Sequence, residues 1–294
     1  MKLKILHVAT FPYPSTQGSQ VYVRSLLKGL SALGHQVSLL CYAHGDEEIQ
    51  WNDSEIQIHR CKQISDYNNL RAGPDGMKPL LDLLLSLEMM KLQPDIIHVH
   101  NYEAPIVSVI GRYHRKIPMV YSAHNTMREE LPTYFSHRIQ KTIAKLIGIA
   151  MDHTIPRLAE ATIVIRSDSK AKLQKLGCRN VYCIEPSISL QEFDFTPTTL
   201  PEGKWIIYAG NPDRYQDLDV LFSAMNYLDS EIKLILIGGS SFDGWSESHS
   251  DRVLCIQTSD FSEVLSYIEA ADVAVLPRSV CSGFPIKILN CIND

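Results

Sequence analysis

The residues best suited to chemistry sit where short β-rich runs give out. The loop 11–20 (FPYPSTQGSQ) follows one such run and opens a helical pattern. Gly18 and Ser19 then stand at a helix N-terminus, whose free N–H groups and dipole attract anions. The same spacing also suits Ser19 as a plain helix cap. Neither G-x-G-x-x-G nor G-x-x-x-x-G-K-[ST] occurs, so the dinucleotide and P-loop fingerprints are not met. His98 and His100 stand two apart in a β-run and so face one way. A metal would need a third ligand, and no third His or Cys has a recognisable spacing, so no metal site is expected. His124 ends the run MVYSAHNT at the C-terminal edge of a parallel strand, where doubly wound folds hold ligands. A neutral imidazole there can donate to a hydroxyl or assist proton movement, or be a satisfied loop histidine.

Two later segments repeat the pattern. YAGNPDR (208–214) is a β-run ending at Gly210–Asn211. Gly210 would allow close approach of a ligand, and Arg214 could reach a phosphate as a fork donor. LPRSVCSGFPIKILN (276–290) reads as a strand, a loop with Ser282 and Gly283, and a helix started by Pro285. Its first-turn amides suit a pyrophosphate, with Arg278 and Lys287 adding charge.

The elements that must position these residues alternate along the chain. Strand-like runs occupy 4–10, 36–42, 56–60, 95–100, 118–122 and 161–165; helical patterns occupy 19–33, 79–92, 104–114, 135–151 and 167–176. Such alternation predicts a mainly parallel sheet with helices on both faces. Residues 192–203 (EFDFTPTTLPEG) lack periodicity and read as a linker. The alternation then restarts, with strands at 204–209, 233–237, 252–257 and 272–276 and helices at 217–228 and 261–270. The expected organisation is therefore an N-terminal domain over 1–191 and a second α/β domain over 204–294.

Composition excludes other classes. With 45% hydrophobic and 21% charged residues in 294, the chain is an ordinary globular one, needing no disulfide or metal staple. Its longest apolar stretches are broken by Asp82, Glu88 and Lys233, so no membrane span is expected. The opening run is short and interrupted by His7, which argues against a secretory signal. Seven cysteines without a C-x-x-C read as reduced, mostly buried thiols, and the cytoplasm is the expected compartment. Residues 107–179 hold thirteen Lys and Arg against five Asp and Glu, although the whole chain carries −5. That asymmetry suits either an anionic partner or ordinary solvated helix faces. Within it, Phe135, Ile139, Ile143, Leu146 and Ala150 share one side of a helix and Arg138, Lys141 and Lys145 lie towards another. The apolar side is expected to pack on the sheet, leaving the basic side for a peripheral contact with an anionic membrane surface.

Taken together, LHVATFPYPSTQGSQVYVRSLLKGLSALGHQVSLL, PDIIHVHNY, PMVYSAHNT, AEATIVIRSDSKAKLQKLG, WIIYAGNPDRYQDLDVLFSAM and ADVAVLPRSVCSGFPIKILN resemble the GT-B glycosyltransferases of family 4. The resemblance runs over nearly the whole chain and implies two Rossmann-like domains facing across a cleft. It implies transfer of a sugar from a nucleotide-sugar donor to a hydroxyl of a glycan or lipid-linked acceptor, with retention. The nucleotide sugar is a substrate, so no cofactor is implied, and no nucleic acid. By the same resemblance Gly18 and Ser19 lie against the donor and His124 lies beside the transferred sugar. Gly210, Asn211, Arg214 and Arg278 belong with the donor phosphates. Ser282, Gly283, Phe284, Lys287 and Asn290 belong with the phosphates, sugar and ribose. Four positions depart from the common pattern. Ser282 and Asn290 stand where the family has acids, Asn211 where it has Arg, and Gln216 where it has Lys. A sub-branch carries G-N-x-x-x-Y-Q-G and S-G-F-P-x-K-x-L-N, which this chain fits except for Asp217 in place of the glycine. The chain also resembles a member cut short by about two βα units. A partner-dependent or non-catalytic remnant is therefore the competing expectation, with a sugar-nucleotide epimerase behind it.

Overall fold

The computed structural model describes residues 1–15, 18–47, 49, 51–65, 67–69, 75–113, 115–187, 195–212, 216–242, 252–258 and 260–278. They form two compact units, one of which is built from Met1–Ser187. Its elements are β1 (Lys4–Ala9), α1 (Gly18–Ala32), β2 (Gln36–Cys41), β3 (Gln57–Arg60), α2 (Lys78–Met89), β4 (Ile96–His100) and α3 (Ala104–Gly111). After them come β5 (Met119–Ala123), α4 (Met127–Glu130), a 3₁₀ turn at Leu131–Tyr134, α5 (Arg138–Thr154), β6 (Ala161–Val164), α6 (Ser167–Lys175) and β7 (Val181–Cys183). Helix ends follow local chemistry: Pro79 and Pro105 stand in the first turns of α2 and α3. Gly177, at φ 78°, takes the left-handed position just past α6.

The seven strands run in the order β3-β2-β1-β4-β5-β6-β7, and every pair is parallel. Chain order therefore reverses between β1 and β4, which makes that junction the topological switch point. Leu6, Val8, Ile97, Val99, Met119 and Tyr121 form one buried layer, packed with Leu81, Leu85 and Met89 of α2. Strand β7 was not expected; it is three residues long, too short to leave a periodic trace.

The second α/β unit holds β8 (Lys204–Ala209), α7 (Leu218–Met225), β9 (Ile232–Gly238), β10 (Val253–Gln257), α8 (Phe261–Ala270) and β11 (Val273–Ala274). Its parallel sheet has the order β10-β9-β8-β11. Alternate residues feed two apolar layers, Tyr208, Leu234 and Leu236 on one face and Trp205, Ile207, Ile235 and Ile237 on the other. Residues 195–203 carry no helix or strand; the Thr198 N–H donates to the Ser266 carbonyl, Trp205 Nε1 donates to the Pro201 carbonyl, and Leu200 packs on the Trp205 layer.

One expectation is overturned by packing. The inward residues of α5 are Ala144, Gly148 and Asp152, not its large apolar ones. A Cβ on Gly148 would lie 2.4 Å from the Met127 carbonyl oxygen, so α4 presses directly on the α5 backbone. Two carboxylate oxygens of Asp152 accept from the Met127 and Arg128 N–H groups at 2.7 and 3.0 Å, capping α4. Ile139, Ile143, Leu146 and Ile147 are left 50–75% exposed. Apolar periodicity identified the helix and misassigned its buried side. Phe135 lies outside the helix, following the 3₁₀ turn.

The thiols of Cys41, Cys61 and Cys178 are buried, Cys183 is half-buried and Cys255 is exposed, and none of these five is in a disulfide. No helix among the described residues is long and apolar enough to cross a membrane.

Candidate active site

A pocket opens in the first unit at the C-terminal edge of its sheet. Thr10, Phe11 and Pro12 follow β1, Ser19 and Gln20 begin α1, Asn101, Tyr102 and Glu103 follow β4, and His124 and Asn125 follow β5. Tyr42, Tyr67, Asn69, Lys78, Tyr121, Met127, Glu130 and Tyr134 complete the lining. Parallel strands deliver their ends to one edge, and the reversal between β1 and β4 leaves a gap there. Sequence reasoning expected Ser19 and His124 to face a ligand, and the fold brings both to this pocket. Gly18 is the first residue of α1, beside Ser19.

The loop after β1 is held from outside. Tyr13 is buried, and its hydroxyl donates to Asp53 at 2.6 Å. Arg24 donates to the same carboxylate at 2.8 Å and lies over the Trp51 ring. The Tyr13 N–H donates to the His44 carbonyl, and Asp46 N–H to the Pro14 carbonyl. Gly45 allows this: a Cβ there would lie 2.2 Å from the Tyr13 oxygen.

Polar groups on the wall are paired so that their faces stay available. Glu103, 9% exposed, accepts from Lys78 at 3.0 Å and from Thr10 at 3.3 Å. Glu130 accepts from Asn125 at 2.9 Å and Tyr134 at 2.7 Å. Tyr42 donates to Asp82 at 2.8 Å. Burial raises the hydroxyl pKa of Tyr42, Tyr102, Tyr121 and Tyr134, with neighbouring carboxylates adding to it, so all four remain protonated donors. Burial also pushes the Asp82 carboxyl up to about 6. Two buried acceptors on the wall, Gln20 Oε1 and Asn125 Oδ1, have no partner among the described residues. Asn101 takes φ 68°, turning the chain sharply after β4.

Beneath His124 lies a cluster that spacing alone did not reveal. The register sets His7 on β1 against His98 on β4, and Ala9 against His100. His7, His98 and His100 thus share one sheet face, with ligand-capable nitrogens within 4.8 Å of one another. No recognisable sequence spacing leads to this third histidine: 91 positions separate His7 from His98, its neighbour on the adjacent strand. The available signal was a histidine inside the apolar run of β1. All three rings are buried. Desolvation is the main cause lowering each pKa, to about 3 for His98, so all are neutral at ordinary pH. His124, lowered to about 4 by the same cause, is neutral too.

In the second unit Gly210 follows β8 at φ 147°, and a Cβ on Gly238 would lie 2.6 Å from the Gly210 carbonyl oxygen. The glycine at 238 lets these two backbones meet. Asn211 is exposed, and its carbonyl accepts from the buried Tyr208 hydroxyl at 2.8 Å. Arg278 is half-buried beyond β11. Arg214, Ser282, Gly283, Phe284, Lys287 and Asn290 lie outside the described residues.

A doubly wound parallel sheet with a polar, ring-lined pocket at its switch point defines a small-molecule α/β protein of Rossmann-like build. The sequence model of Glycosyltransferase Family 4 matches residues 16–192, and the chain belongs to that family. Solved structures share the fold over almost the whole chain. Sucrose-phosphate synthase of Thermosynechococcus elongatus aligns with a TM-score of 0.77 at 18% identity, covering 98% of this chain and 79% of that one. HepE of Anabaena, solved with UDP and glucose, gives 0.67 at 15% identity over 98% and 78%. The catalytic domain of starch synthase IV from Arabidopsis thaliana, bound to ADP and acarbose, gives 0.69 at 12% identity over 99% and 81%. A comparison with curated protein sequences gives no significant match. The two units are thus the Rossmann-like halves of a GT-B fold.

Proposed function

We propose that this protein transfers a sugar from a nucleotide-sugar donor to a hydroxyl of a lipid-linked acceptor, with retention at the anomeric carbon. The observation that carries this is the switch-point pocket of a family 4 chain. Its aromatic faces suit the C–H surfaces of a sugar, and its carboxylates, amides and tyrosine hydroxyls suit sugar hydroxyls. Structural neighbours solved with UDP and glucose, or with ADP and acarbose, support the nucleotide-sugar class.

In this reading Gly18 and Ser19 close on the donor and His124 stands beside the transferred sugar. Gly210, Asn211, Arg214, Arg278, Ser282, Gly283, Phe284, Lys287 and Asn290 hold the donor's diphosphate, ribose and sugar. Backbone amides and cations take up charge on the leaving diphosphate, so no metal or other cofactor is assigned. Glu103, Glu130 and the tyrosines around them bind the reacting hydroxyl group's own sugar or headgroup.

The lipid-linked choice rests on α5. Its exposed Ile139, Ile143, Leu146 and Ile147 adjoin exposed Arg138, Lys141 and Lys145, a face suited to an anionic membrane surface.

The test is release of nucleoside diphosphate from UDP-, ADP- and GDP-sugars in the presence of lipid extract, with NMR assignment of the product's anomeric centre. One donor should turn over with retention, and His124→Ala should lower its rate. No turnover, with no thermal stabilisation by any nucleoside diphosphate, overturns the transferase reading. Co-sedimentation with phosphatidylglycerol vesicles should fall with salt and with a Lys141→Glu/Lys145→Glu double change. Absence of binding at low salt redirects the acceptor to a water-borne glycan.

A further inference from the structure

We propose that His7 and His100 are positioning residues for His124: the three neutral imidazoles form a one-way hydrogen-bond chain that fixes the His124 proton on Nδ1. His124 then offers the pocket a donor and not a base. Its catalytic meaning rests on the transferase reading above; the chain itself does not.

The geometry is continuous from β1 through β4 to the residue that follows β5. His7 Nδ1 lies 2.9 Å from His100 Nε2, and His100 Nδ1 lies 3.4 Å from His124 Nε2. The His7 and His100 rings are nearly coplanar, at 8°, and Tyr22 of α1 packs edge-on against His124. Each link needs one donor and one acceptor, so a neutral chain has only two polarities.

The buried end chooses between them. His7 Nε2 is buried with no hydrogen-bond partner among the described residues. If the proton sat there, an N–H would be orphaned in the interior, the rarer and costlier defect. The His7 proton therefore sits on Nδ1 and donates to His100 Nε2. His100 must then carry its own proton on Nδ1 and donate to His124 Nε2. His124 in turn carries its proton on Nδ1, the nitrogen turned away from the chain on a residue that lines the pocket. His98 packs against both rings, at centroid distances of 4.9 Å from His7 and 4.5 Å from His100, but its Nε2 is engaged by Ser122 Oγ at 2.7 Å.

A metal held by His7, His98 and His100 is the competing use of these rings. Tetrahedral ligands at zinc–nitrogen distances sit about 3.4 Å apart. The 2.9 Å contact is the length of an N–H···N bond, and Ser122 already engages His98.

The full chain, labelled with ¹⁵N-histidine, reports each tautomer through long-range ¹⁵N–¹H correlations at pH 7 without donor or acceptor. His7, His100 and His124 should all carry the proton on Nδ1. His100→Phe should let His124 relax to a mixture of tautomers. His100→Asn sets an amide where Nδ1 was and should restore the parent signal. His7→Leu should leave the tautomer unchanged, because the orphan becomes a lone pair on His100 Nε2. If His100→Phe fails to fold, the parent and His100→Asn spectra still decide. A parent with the His124 proton on Nε2 overturns the chain. So does an identical His124 signal in both His100 variants, or stoichiometric metal in the purified protein that is lost in His7→Leu. Because no substrate enters the measurement, its failure is separable from failure of the transferase reading.

Discussion

Replacing Asp82 with Asn should make the protein more stable at pH 7 and less sensitive to pH. Asp82 lies on α2 and accepts from the buried Tyr42 hydroxyl at 2.8 Å. Burial raises its carboxyl from 3.8 to about 6, the like charge of Glu103 adds, and the Tyr42 hydrogen bond and Lys78 oppose. The folded state thus binds this proton more tightly than the unfolded chain does. Asp82 supports the fold fully below about pH 4, and that support is lost as pH rises through about 6. A rise of about two units corresponds to about 3 kcal/mol at most, and partial solvent access reduces it to about 1–2 kcal/mol. Asn keeps an oxygen for Tyr42 and carries no charge. The difference between Asp82→Asn and parent should therefore grow from near zero at pH 4 to about 1–2 kcal/mol at pH 7 in favour of the variant. Urea unfolding of both proteins at four pH values measures it. A variant less stable at pH 7, or a difference independent of pH, refutes the reasoning. Asp82→Leu provides the contrast, because it strands the Tyr42 hydroxyl at a cost of about 1–3 kcal/mol.

Gly45→Ala should push the loop after β1 off its seat, since the new carbon would lie 2.2 Å from the Tyr13 oxygen and 2.7 Å from Pro14 N. A loss of about 1–3 kcal/mol by urea titration is expected, together with a weaker thermal shift from the best nucleoside diphosphate; an unchanged shift separates that loop from the donor. Asp217, in the left-handed region at φ 54° before α7, should tolerate glycine well. Asp217→Gly should be neutral or stabilising by up to about 1 kcal/mol, whereas Asp217→Val should destabilise, both read from unfolding midpoints.

Asp217 also shows what a sequence carries and what it withholds. The sub-branch motif has a glycine there, and the backbone takes the conformation that favours glycine, so motif and dihedral agree although the side chain differs. The βα alternation was legible because strands of four or more residues and helices of eight or more repeat their periods often enough to stand out. Ser19 and His124 were legible because strand ends and helix starts have turn chemistry that local residues reveal. Glu103 and Lys78 were not, since their pairing joins the start of α2 to the segment after β4, and no local period encodes a contact between separate elements. The α5 face failed for a related reason. Apolar spacing marks a helix with two distinct sides, but which side is buried depends on what arrives against it. Here α4 comes against the backbone at Gly148 and is capped by Asp152, so the buried side is the one carrying Ala144, Gly148 and Asp152. The histidine chain is the extreme case: His7 of β1, His100 of β4 and His124 just past β5, separated by 93 and 24 positions, meet only because the switch point sets β4 between β1 and β5. Topology, not spacing, composes that group, and the same reversal that opens the pocket puts the chain beneath it.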